Sequence, residues 1–188
     1  MTATVKCFDA SAAIPREVPP GCGAVLGYIG TPPGLERLDY AAHAWTLAEW
    51  QRFGHLLQFP CWVARLTENP YASGAAAAAE ARRLGWHKSR AIICDLEAAH
   101  DPSWWVSWAA AVIHAGYKPV WYGSLVSAAA YDAALKWVAD YDGIAEVPHG
   151  FAAKQYAGDV TVPGGVVDLS VVGPQLLIHA GHGARRLS

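Results

Sequence analysis

At 188 residues the chain has the size of one domain that can bury a core without help from a metal or a disulfide framework. Its 53% hydrophobic and 16% charged residues exclude a disordered chain, and a formal charge of -2 gives no electrostatic drive toward nucleic acid or anionic membranes. No window approaches the run of roughly 18 apolar residues that a membrane span needs, and MTATVKCFDASAAIP lacks the blocks of a secretory signal, so the expectation is a soluble protein, cytoplasmic at synthesis.

Short apolar runs alternate with longer Ala-, Leu- and Trp-rich segments, which is the α/β pattern. In chain order, strands are predicted over 5–9, 24–29, 59–64, 91–96, 119–122, 135–140, 152–156 and 166–171. Helices are predicted over 47–57, 74–84, 102–115 and 124–134. Gly85 and Gly116 stand where a helix end needs a left-handed residue, and Asp101-Pro102 reads as an N-cap followed by proline in the first turn. The tract GAAAAAEARRLG reads as a surface helix with a small-residue packing face, not a linker. After Leu135 the strands are joined by short Gly/Pro loops with no room for full helices. Eight strands predict a compact (β/α)8-type, TIM-like barrel with reduced helices in its C-terminal half. It forms a single domain over 1–178, followed by a tail over 179–188.

Cys7, Cys22, Cys61 and Cys94 contain no CxxC pair and read as buried thiols; a Cys7–Cys22 bridge would need an oxidising compartment. His179 and His182 form an HxxH with no third ligand, and His100 reads as a loop or cap residue, so no metal and no cofactor are expected. GxSxG, GxxxxGK[ST] and GxGxxG are all absent.

Chemistry is concentrated where apolar strands end in acids. Asp9 follows VKCF, Asp95 and Glu97 follow AIIC, and Asp168 follows GGVV. Strand alternation puts Asp95 and Glu97 on one face, and closing the strands into a barrel would bring all four acids to one mouth. Alone, such an acid reads more readily as a helix cap or an arginine partner than as a catalytic group. Gathered together, they supply the like-charge repulsion that raises one pKa of a pair. A carboxylic acid still protonated near neutrality, beside a carboxylate, is what glycosidic bond cleavage requires. The nine Trp and eight Tyr serve core packing or offer flat faces for sugar rings; Tyr28, Tyr122 and Trp121 are the candidates near strand ends.

The opening FDAS (Phe8 to Ser11), the DLE (Asp95 to Glu97), KWVADY (Lys136 to Tyr141) and KQYAG with VDLS (Lys154 to Ser170) resemble, in order and spacing, the family 25 glycoside hydrolases, muramidases that cut bacterial peptidoglycan. GYIGTPPGLERL and the following Ala-rich helix are also similar to glycoside-hydrolase-like barrel domains of actinobacteria and their phages. The resemblance implies a groove at the strand C-termini. It makes Glu97 the proton donor to the glycosidic oxygen, has Asp95 tune Glu97 or stabilise the reacting sugar, and gives Asp9 and Asp168 an acidic floor, with Gln155 and Tyr156 at the cleft edge. It implies peptidoglycan or a related glycan as partner. Arg65, Glu68 and Asn69 depart from the muramidase pattern and are expected in the groove. The alternative reading is a catalytically silent barrel that binds glycan or serves as a structural piece of a phage particle or cell-envelope assembly. The sequence leaves the oligomeric state, and action at the wall or in a particle, open.

Overall fold

The computed structural model describes residues 4–10, 14–30, 44–96 and 101–182. Among these residues nine strands form, in chain order β1 (Val5–Asp9), β2 (Cys22–Tyr28), β3 (Leu57–Val63), β4 (Ala91–Asp95), β5 (Lys118–Ser124), β6 (Lys136–Ala139), β7 (Ala153–Val162), β8 (Gly165–Val172) and β9 (Gly181–His182). Hydrogen bonding runs β2-β1-β8-β7-β6-β5-β4-β3, and a β2–β3 pairing closes the first eight into a barrel. β9, in the stretch assigned to the tail, adds antiparallel to β3. The barrel is the TIM-like architecture expected from the strand count.

Among the eight strands of the barrel, one runs against the others. β1 to β7 are mutually parallel, but β8 pairs antiparallel with both β7 and β1. The cause is local. Val162 pairs with Gly165 across the two-residue turn Pro163-Gly164, and Gly164 has φ 88°, whereas a parallel return would need a crossover of a dozen residues or more.

The helices are α1 (Leu47–Arg52), α2 (Pro70–Arg83), α3 (Pro102–His114) and α4 (Pro174–Leu177). Asp101 caps α3 as expected, its Oδ1 accepting from the backbone N–H of Ser103 (2.9 Å) and Trp104 (3.1 Å). α2 begins four residues before the predicted start because Asn69-Pro70 uses the same grammar. Asn69 Oδ1 accepts from Ala72 N at 2.9 Å, which makes Asn69 a helix cap. The alanine tract is a packing face, as read. A Cβ on Gly74 would lie 2.5 Å from the Trp108 carbonyl oxygen, so α2 approaches α3 as closely as backbone allows. The helix expected over 124–134 reduces to one 3-10 turn, Ala128–Ala130. Ser124 and Ser127 hydroxyls bond each other and nearby backbone there, competing with helix propagation.

Strand alternation separates two cores. Inward residues, including Cys7, Leu26, Phe59, Ile93, Val120 and Trp137, fill the lumen. Outward ones, including Phe8, Val25, Trp62, Ile92 and Trp121, pack beneath the helices. All nine tryptophans are at most 5% exposed, so none offers a sugar-stacking face. Trp121, the one singled out, is fully buried and stacks on Tyr131 with ring centroids 4.8 Å apart. No disulfide forms; the four cysteines are thiols, and burial pushes Cys7 and Cys94 well above the ordinary thiol range. Among the described residues no helix is long and apolar enough to cross a membrane.

Candidate active site

The C-terminal ends of the parallel strands form the mouth of the barrel. Asp9 ends β1 on the same inward parity as Cys7 and is 7% exposed. Asp95 ends β4 on the parity of Ala91 and Ile93 and is half-buried. Asp168 reaches the same level by another route. It lies in the middle of β8, and because that strand runs downward it stands directly opposite Asp9 in register, where side chains share a face. Three of the four predicted acids therefore share one opening, Asp9 and Asp168 side by side and Asp95 across the barrel. Glu97 and His100 lie outside the described residues.

Polar side chains link the two sides. Asp95 is the register partner of Tyr122 on β5, and the Tyr122 hydroxyl donates to Gln155 Oε1 on β7. Gln155, 1% exposed, donates from Nε2 to Asp168 Oδ2 at 2.8 Å. Its Oε1 accepts a second hydroxyl, that of Tyr141, at 3.0 Å. The Gln155 amide thus joins Tyr122, Tyr141 and Asp168.

The second oxygen of Asp168 is held by a distortion of the sheet. The β7–β8 register slips between Gln155 and Val160, and Asp159 there adopts φ 55°, uncommon for a residue other than glycine. This turns the Asp159 N–H onto Asp168 Oδ1 at 2.9 Å. Burial, with the charge of Asp159 nearby, holds the Asp168 carboxyl above the ordinary aspartate range against the pull of these hydrogen bonds.

Of the predicted binding residues, Tyr28 ends β2 facing the lumen at 9% exposure, and Tyr122 and Gln155 belong to the network just described. Tyr156 is also buried but follows Gln155 on the strand, so it faces the outer side, where Cys22 is close enough to help burial raise its hydroxyl pKa. Tyr141 was not singled out by sequence, although it lies in KWVADY and continues the inward period of Trp137 and Ala139. The residue is 57% exposed, and its ring packs beside Gly158, where a Cβ would come within 3.1 Å of it. A cavity of about 680 Å³ opens at the other end of the barrel, lined by Thr4, the segment before β7 and the turn after β8, away from these acids. Among the described residues no cluster of His, Cys, Asp or Glu could hold a metal ion.

No family model matches the chain, and no curated protein matches it in sequence. Solved structures do match. An uncharacterised protein of B. stearothermophilus aligns over 94% of this chain and 100% of its own, with TM-score 0.72 at 19% identity. A family GH25 lysozyme of Aspergillus fumigatus aligns over 95% of this chain and 100% of its own, with TM-score 0.60 at 17% identity. The barrel is a GH25-like fold. The modular autolysin LytC of Streptococcus pneumoniae, solved in complex with a synthetic peptidoglycan ligand, shares it over 89% of this chain and 46% of its own, with TM-score 0.58 at 18% identity. At these identities the likeness establishes the GH25-like barrel and its mouth, and chemistry has to be argued from the residues.

Proposed function

We propose that the protein is a glycoside hydrolase of lysozyme type that cuts peptidoglycan at the barrel mouth. The observation that carries this reading is the meeting of Asp9, Asp95 and Asp168 at the mouth of a GH25-like barrel. In the proposed reaction Glu97 protonates the glycosidic oxygen as the C–O bond breaks, and Asp95 stabilises the positive charge developing on the sugar ring. Water then adds to the anomeric carbon, gives its proton to the Glu97 carboxylate, and leaves a new reducing end. Asp9 and Asp168 supply the negative floor, and Tyr141 offers an exposed ring to the apolar face of a pyranose. The place of action would be the cell wall, reached after synthesis in the cytoplasm or as part of a phage particle.

Glu97→Gln should abolish release of reducing ends from labelled peptidoglycan while leaving the thermal transition close to that of the unaltered protein. Undiminished release would reject the assignment.

A second reading, a barrel that binds glycan without cutting it, draws on Asp168. Both its oxygens are committed to protein donors, as befits an acid that shapes a surface. Retention of peptidoglycan with no new reducing ends would favour it.

A further inference from the structure

Lys154 is a buried ammonium that plays no part in the chemistry above. The residue is 3% exposed, its register partners on either side are Val138 and Val171, and its parity places it on the outer face of β7. A charge withdrawn from water in this way is costly unless it is paired. Its Nζ lies 2.7 Å from each oxygen of Asp142 and 3.4 Å from Asp140 Oδ2. Burial pulls the lysine pKa down, but these two carboxylates overcome it and hold the ammonium above the ordinary lysine range.

The two carboxylates flank Tyr141 in sequence. The tyrosine is therefore gripped from two sides of one strand. Lys154 holds its neighbours from the outer face, while Gln155, the next residue of β7, accepts the Tyr141 hydroxyl on the inner face. Backbone bonds complete the attachment, from Asp140 N to the Gln155 carbonyl (2.9 Å) and from Gly143 N to the Tyr156 carbonyl (3.0 Å). A tyrosine more than half exposed is thus tethered at its hydroxyl and at both of its sequence neighbours, and such restraint lowers the entropy lost when a ligand stacks on a ring.

We infer that Lys154 is a positioning residue: clamped between Asp140 and Asp142, it fixes the Tyr141 ring as the sugar-facing wall of the mouth. The sugar-facing part rests on the glycan reading of the site.

A double-mutant cycle tests the inference, with the β-1,4-linked tetramer of N-acetylglucosamine as probe in titration calorimetry. Lys154→Met keeps the apolar stem and removes the charge. It and Tyr141→Ala should each weaken binding about tenfold, and the double variant should bind no more weakly than Tyr141→Ala alone. Lys154→Arg should retain most of the affinity. Asp142→Asn, at an exposed position, is the companion variant should Lys154→Met fold poorly, and should weaken binding in the same direction. The ring signal of Tyr141 in protein carrying 13C-labelled tyrosine, assigned by its loss in Tyr141→Phe, should shift in Lys154→Met. Equal losses from Lys154→Met in the presence and absence of Tyr141, or none in either, would overturn the inference. So would an unmoved ring signal. If the unaltered protein binds neither the tetramer nor peptidoglycan while the ring signal still moves, the glycan reading falls and the clamp stands.

Discussion

Gln155→Leu keeps nearly the volume of the side chain and removes three hydrogen bonds at once. The Tyr122 hydroxyl, at a residue 7% exposed, would lose its bond to Gln155, a loss of about 1–3 kcal/mol for a buried polar group. The bond to Asp168 involves a charged acceptor and would ordinarily be worth about 1.5–3 kcal/mol. Asp168 is only half-buried and keeps the Asp159 N–H, so the lower end applies. Tyr141 reaches water, and its hydroxyl adds little. The leucine returns about 1 kcal/mol of apolar burial. The net expectation is a destabilisation of about 2–3 kcal/mol, or a fall of roughly 4–12 °C in Tm for a domain of this size. Urea unfolding followed by fluorescence reads it directly, because the nine tryptophans are all buried in the folded state. A change below about 0.5 kcal/mol, the range of ordinary surface substitutions, would refute the network as drawn.

Asp168 makes stability depend on pH. Its folded-state pKa is raised, so the folded protein binds the proton more tightly than the unfolded chain, and stability should fall as pH rises from about 4 through the raised value. Asp168→Asn cannot ionise and should remove that part of the decline; a difference in Tm between the two proteins that stays constant across this range would contradict the assignment. Asn69→Ala should cost about 1 kcal/mol in urea unfolding through the lost α2 cap, with glycan binding unchanged. Weakened binding in Asn69→Ala would give that residue a part in the groove beyond its capping bond.

Much of the barrel was readable because local rules and tertiary structure agree. VKCFD forms β1 with the predicted bounds, Asp101-Pro102 opens α3, and Gly85 and Gly116 both adopt φ 93° at helix ends. Two further signals stand in the sequence and went unread. Asn69-Pro70 carries the same capping pattern as Asp101-Pro102, and VPGG between two close apolar runs leaves no length for a parallel crossover, which makes β8 antiparallel. The predicted 124–134 helix shows the opposite case, in which helix-compatible residues are overridden by serine hydroxyls and a nearby strand.

The order of residues along the chain determined by itself the eight strands of the barrel, the inward parity of Asp9 and Asp95, and the alternation that yields a barrel, since these follow from side-chain period and turn chemistry within short windows. Only the closed sheet decided that Asp168 stands opposite Asp9, that the indoles are all interior, and that Gln155 and Lys154 hold Tyr141 from two faces. Those relations depend on strand direction, register and a bulge, which arise when segments distant in the chain pair and bury their polar groups against one another.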